Sequence, residues 1–227
     1  MVHSALRGLG YLINGPRDII NALMECVGPD GTIIAPSFSG QLTDPAQWSK
    51  AAMPPEWHEK ICAEMQPIDS RHTPTRSVGI FPQALVHCPG AMRSTHPTHS
   101  IVALGKHATD ITADHPLHSG QGADSPFPKI YSHDPLVLFM GVGLESCTLL
   151  HMAEFIVHGE YTTSRTSRVL HTTGHRAVLC CLFVFTRVRH AKAINNAGLV
   201  VHCLLCELAR RPEAVLDKRK TPSRKGV

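Results

Sequence analysis

The sequence predicts an α/β protein built around a mixed, mainly parallel central sheet, and three observations predict it. The stretch from Val2 to Pro36 reads as strand, helix, strand, the order of a βαβ unit. A continuous apolar run, PLVLFMGVG at 135–143, has the make-up of a strand buried on both faces. Apolar residues form 43% of the 227-residue chain, enough to bury a substantial core.

Each element has its own local reason. VHSALRGLG at 2–10 runs from a short apolar start into a glycine-containing turn. In PRDIINALMECVG the apolar residues Ile19, Ile20, Leu23, Met24 and Val27 recur at helical spacing, with Pro16 as the start and Gly28 as the stop. PDG is turn chemistry, and TIIAP is a short strand ended by proline. Residues 40–75 are rich in proline, tryptophan and charge without a sustained period, which predicts a long functional loop holding one helical piece. TPTRSVGIFPQALVHCPG predicts a helix opened near Thr73 or Thr75 and closed at Cys88–Gly90. SIVAL is a strand, KHATDITADH a helix, and HSGQGADSPFPKIYSHD a loop with one short helix. Farther on, AVLCCLFVF reads as a strand, INNAGLVVHCLLCELARRPEAVL as a helix and KRKTPSRKGV as disordered. There is no internal repeat.

Composition narrows the function. No apolar stretch approaches the roughly 20 residues of a membrane span, and the first residues lack the form of a signal peptide, so a cytoplasmic location and no membrane partner are expected. The eight cysteines show no disulfide spacing, and the Cys203-x-x-Cys206 pair with His202 lacks the further ligands of a zinc site, so no metal is expected. Charge is unevenly placed. Nine Lys/Arg stand against fifteen Asp/Glu up to residue 160, and thirteen against three beyond it. An acidic body suits cationic small molecules, whereas the short basic end is better read as solvated, so no nucleic-acid partner is expected.

CTLLHMAEF at 147–155 places His151 and Glu154 three residues apart, after the apolar run. A neutral-range imidazole there suits proton transfer, although the spacing alone equally permits the polar edge of a packed helix. VHSALRGLG, IDSRHTPTRSVGIFPQAL (68–85), RSTHPTHSIVALG (93–105) and VLFMGVGLESCTLLHMAEF (137–155) occur in the order and spacing of the aminoglycoside 3-N-acetyltransferases, and over about residues 2–160 the chain resembles that family.

The resemblance implies a three-layer α/β/α arrangement around the central mixed, mainly parallel sheet. It also implies acetyl transfer from acetyl-CoA to the 3-amino group of a 2-deoxystreptamine antibiotic, by direct attack within a ternary complex. His151 matches the family's catalytic histidine and is the expected general base. Glu154 would hold its imidazole or receive the substrate's positive charge; its alternative is a solvated helix residue. For acetyl-CoA the expected contacts are Ser4, Ala5, Leu6 and Arg7 after the first strand, Thr73 and Thr75, and His96, Thr98, His99 and Ser100 of the HPTHS loop. Asp69 matches an acidic, substrate-binding position. Trp57 either packs on a sugar ring or anchors its own loop.

Against the family pattern, the chain begins at the first of these strands, and Cys147 stands where an asparagine is usual. The expected organisation is therefore an N-terminally shortened acetyltransferase-like domain at 1–160 and a basic extension at 161–227. Rival readings are an N-acyltransferase for another small amine, or a truncated, non-catalytic family remnant.

Overall fold

The computed structural model describes residues 1–48 and 53–152, and the backbone of two strands at 163–170 and 176–183. Its elements are β1 (Val2–Ser4), α1 (Pro16–Val27), β2 (Thr32–Pro36), α2 (His58–Glu64), α3 (Ile80–Val86), β3 (Met92–Arg93), β4 (Ile101–Gly105), α4 (Ala108–Thr112), α5 (Pro126–Ser132), β5 (Leu138–Met140), β6 (Thr163–Leu170) and β7 (Arg176–Phe183). Helix α1 follows its signals closely. Pro16 occupies the first turn, Asp18 in that turn accepts from the Asn14 backbone and side-chain N–H groups, and the Gly28 N–H donates to Met24 O.

β1 pairs in parallel with β5, Val2 opposite Leu138. β2 and β3 both pair antiparallel with β4, in the order β2-β4-β3, and β6 and β7 form an antiparallel pair. The α/β class and a parallel pairing are present. The balance differs from expectation: among the described residues only β1 and β5 pair in parallel. The strands flanking α1 do not form one ladder, because β2 takes β4 as its partner and β3 returns to β4 through residues 94–100.

Two cores lie against alternate residues of the same strands, as the two-residue strand period requires. Ile33, Ala35 and Val102 pack with Ile20 of α1 and with Phe81, Leu85 and Val86 of α3. Ile34, Ile101 and Ala103 pack with Ala108 and Ile111 of α4 and with Phe127 and Ile130 of α5. The 135–143 run is less buried than its composition predicts: Val137 is buried, while Leu136 and Leu138 are exposed, because among the described residues β5 has a hydrogen-bonded neighbour on one side only.

Helix α3 begins later than its sequence suggests. Gly79, not Thr73 or Thr75, is its N-cap, with φ +82°. Thr75 instead donates its N–H to Gln83 Oε1 (2.6 Å), so the segment before the helix runs back along it. The helical piece expected inside 40–75 is α2. The expected helix and disordered end beyond residue 183 lie outside the described residues. No helix among the described residues is long and apolar enough to cross a membrane.

Candidate active site

The ends of β1 and β5 open onto a cavity of about 760 Å³. Its walls are residues 2–7, Phe38 beyond β2, Ser77–Ile80 leading into α3, and Val142, Glu145, Ser146 and Thr148 beyond β5. Backbone contacts are close here. The Ala5 N–H donates to Met140 O (2.8 Å), and a Cβ at Gly79 would stand 2.9 Å from the Ser4 carbonyl oxygen. Gly79 thus combines a positive φ with a close approach that no side chain permits. Ser77, two residues earlier, also holds a positive φ of 63°. Two polar atoms of lining residues, Ser4 Oγ and His3 Nε2, are buried without a protein hydrogen-bond partner. Burial pushes the His3 imidazole down to about 4, with the nearby N-terminal ammonium acting in the same direction, so the ring is neutral at pH 7 and stacks on Phe139.

Of the residues expected from sequence, Ser4, Ala5, Leu6 and Arg7 line this cavity together. Thr148 lines it as well, and the His151 N–H donates to Thr148 O (3.2 Å). His151 therefore lies one hydrogen-bonded turn from the cavity wall, half-buried. Glu154 lies outside the described residues.

The HPTHS residues occupy a different place. His96, Thr98, His99 and Ser100 are all buried and none is among the cavity's lining residues; Phe38, which does line it, packs edge-on against the His99 ring at 5.2 Å. His96 Nδ1 accepts the backbone N–H groups of Thr98 (3.2 Å) and His99 (3.0 Å), which assigns its proton to Nε2. The ring lies 4.5 Å from His115 and 5.4 Å from His99, centroid to centroid. His115 completes the group: Ser94 Oγ meets its Nδ1 at 2.8 Å and Gly120 O meets its Nε2 at 2.9 Å. Burial, reinforced for His96 and His99 by neighbouring imidazoles, lowers all three, His96 to about 2, His99 to about 3 and His115 to about 4. At neutral pH this is an uncharged, hydrogen-bonded block behind the cavity wall. His151 is among the groups whose charge lowers His99, so the block adjoins the candidate base.

Arg93 binds this block to the rest and was not singled out by sequence reasoning. Its guanidinium donates from Nε to Ser100 Oγ (2.9 Å), from one terminal nitrogen to Thr73 O (2.6 Å) and from the other to Ser37 O (2.7 Å). Burial lowers its pKa to about 10, which leaves it charged at neutral pH. The only signal in the sequence is an arginine beside a strand in the RSTHPTHS stretch. His115 was missed too, since nothing local ties it to a loop some 16 residues earlier.

Asp69 and Thr73 close a turn on each other. Thr73 N–H donates to Asp69 O (3.0 Å), Asp69 N–H to Thr73 Oγ1 (2.8 Å), and Asp69 Oδ1 accepts the N–H groups of Arg71 and His72. The His72 imidazole on its other oxygen, with these backbone donors, holds the Asp69 carboxyl down to about 2. Thr75 Oγ1 is buried without a partner.

The family model for aminoglycoside 3-N-acetyltransferases matches residues 1–197. The chain belongs to this family. Over 156 residues it is 38% identical to the SPbeta prophage-derived aminoglycoside N(3')-acetyltransferase-like protein YokD of Bacillus subtilis, covering 68% of this chain and 57% of that one. The crystal structure of YokD superposes with a TM-score of 0.73 at 35% identity, over 78% of this family member and 70% of YokD. Two further solved structures are similar: AAC-IIIb in a binary complex with CoASH (TM-score 0.64, 36% identity, 77% and 65% covered), and AAC-VIa bound to sisomicin (TM-score 0.67, 30% identity, 78% and 65% covered). This acetyltransferase-family chain spans just over half the length of the curated relatives it matches.

Proposed function

We propose that this chain catalyses acetyl-CoA-dependent N-acetylation of the 3-amino group of 2-deoxystreptamine aminoglycosides, by direct transfer in a ternary complex with His151 as general base. The observation that carries this reading is the cavity joining Ser4–Arg7 to Thr148, with His151 one turn beyond.

The cavity fits acetyl-CoA in two respects. Its volume, about 760 Å³, is in the range of small-molecule sites, and Ser4 Oγ and His3 Nε2 lack the partners that a bound amide or carbonyl would supply. Neutral His3 has a ring N–H to give to a carbonyl oxygen, and Ser4 Oγ both donates and accepts. Acetyl-CoA, when bound, supplies an acetyl group activated as a thioester. Ser4, Ala5, Leu6 and Arg7 contact it directly. Thr73, Thr75, His96, Thr98, His99 and Ser100 act through the wall: Arg93 and the histidine block fix Phe38, Ser37 and the 73–77 segment in place.

His151 takes a proton from the acceptor ammonium. The freed nitrogen forms its bond to the acetyl carbon as the carbon–sulfur bond breaks; the electron pair leaves on sulfur, and the nitrogen's second proton passes to that sulfur, giving the amide and the CoA thiol. Glu154 orients His151 or receives substrate charge, and the acidic balance of the first 160 residues attracts a polycation. Asp69 belongs to this reading as a substrate carboxylate, held ionised by its own turn. The two cores on alternate faces of β2 and β4 support the three-layer arrangement.

The test is release of CoA thiol from acetyl-CoA in the presence of sisomicin and other deoxystreptamine drugs, with His151→Ala beside the parent. Drug-dependent release that falls by about 10²–10⁴-fold in the variant, with an unchanged unfolding midpoint, is the expected result. Equal turnover in the variant removes His151 from the mechanism.

A further inference from the structure

The chain has two tryptophans, and both line a second cavity, of about 660 Å³. Trp48 and Trp57 share it with Gln41 and with Lys60, Ile61 and Glu64 of α2. The proposed acetyl transfer does not use this cavity, yet three features give it a definite chemistry.

Gln41 is the first. Its Nε2 donates to Pro74 O (2.7 Å), which fixes the amide, while its Oε1 is buried without a hydrogen-bond partner. A held amide with a bare acceptor is a receptor for an O–H or N–H donor. The tryptophans are the second. Trp48 donates its indole N–H to Thr43 Oγ1 (3.0 Å), so this ring is fixed and offers its apolar body to the cavity. Trp57 is 56% exposed, a large flat ring left partly open to solvent. Charge is the third: Lys60 and Glu64, one helical turn apart, bring one charge of each sign, so the lining has no net charge to capture a polycationic centre.

Position connects the two cavities. Phe38 lines the first and Gln41 the second, three residues apart on one segment. The 74–76 stretch is bonded to both, Pro74 O accepting from Gln41 and Arg76 N–H donating to Phe38 O (2.7 Å).

Resting on the acetyltransferase reading, we propose that the tryptophan cavity is the subsite for a sugar ring of the acceptor that lies away from the reacting amine. The apolar face of the pyranose stacks on Trp57, and one of its hydroxyls donates to Gln41 Oε1. The ring carrying the reacting amine stays beside the first cavity.

Because both tryptophans sit at this cavity, indole fluorescence of the full chain reports on it directly. Emission is followed while sisomicin, and separately bare 2-deoxystreptamine, is titrated; acetyl-CoA binding is read by thermal shift and turnover by thiol release in the same samples. Sisomicin should change the emission saturably and 2-deoxystreptamine should not. Trp57→Ala should weaken sisomicin about tenfold, as loss of an aromatic contact implies, with acetyl-CoA binding unchanged, and Trp57→Phe should recover most of the loss. Turnover with no change in emission overturns the subsite and leaves the acetyltransferase standing. A saturable emission change without turnover does the reverse. An equal response to 2-deoxystreptamine assigns the cavity to the reacting ring and overturns the proposal, and silence in every assay overturns both readings.

Discussion

Lowering the pH from 6.5 to 5.5 should cost this protein about 4 kcal/mol of folding stability through its buried neutral imidazoles, about 1 from His3 and about 3 from the block of His96, His99 and His115. In the unfolded chain each has a pKa near 6.5; in the folded protein burial holds His3 at about 4 and the block at about 2, 3 and 4. Below pH 6.5 protons therefore bind the unfolded chain and not the native one, so the stability is fully present above 6.5 and is lost as pH falls towards the folded values. Each histidine contributes about 1 kcal/mol over the first pH unit and approaches 1.4 kcal/mol per unit thereafter, so four give about 4 kcal/mol. That is a large part of the roughly 5–15 kcal/mol of a typical domain. Carboxylates such as Asp69, at about 2, act only below this window. Urea unfolding at pH 7.5, 6.5 and 5.5 measures the effect. His96→Asn, whose side-chain oxygen can still accept the Thr98 and His99 N–H groups, should lower the acid slope by about a quarter. A stability that stays flat to pH 5.5, or an unaltered slope in His96→Asn, would refute the reasoning.

Two substitutions test how the cavity wall is held. Gly79→Ala places a methyl 2.9 Å from Ser4 O at a backbone angle of +82°; about 2 kcal/mol of stability should go, with a higher KM for acetyl-CoA, and an unchanged KM and midpoint would show that the approach is not needed. Arg93→Met strips buried partners from Ser37 O, Thr73 O and Ser100 Oγ and should cost about 3 kcal/mol in a urea titration. Arg93→Lys should restore only part of this, since an ammonium cannot reproduce the guanidinium fork.

Local signals located most of the secondary structure. α1 lies between Pro16 and Gly28, β2 on TIIAP and β4 on IVALG, because a proline at a helix start, a glycine beyond its end and short β-rich runs act within a few residues of themselves. β5 was legible as a strand but not in its exposure, since burial of an apolar run depends on neighbours that the run does not encode. The start of α3 was misplaced for a similar reason. Thr73 and Thr75 have the chemistry of caps, but the Thr73 hydroxyl accepts from the Asp69 N–H, and Thr75 gives its N–H to Gln83 while its hydroxyl stays buried without a partner.

The candidate site divides in the same way. Resemblance to the family, read from the sequence, picked out Ser4–Arg7 and His151, and the structure sets them after β1 and β5, two paired parallel strands whose ends meet the same cavity. Only the tertiary structure decided that the HPTHS residues stand behind the wall, that His115 joins them from another loop, and that one arginine ties three segments to them. Those facts rest on contacts between residues far apart in the chain, such as Arg93 with Ser37 and Thr73, and a linear pattern carries no record of which distant backbone carbonyl a buried cation will meet.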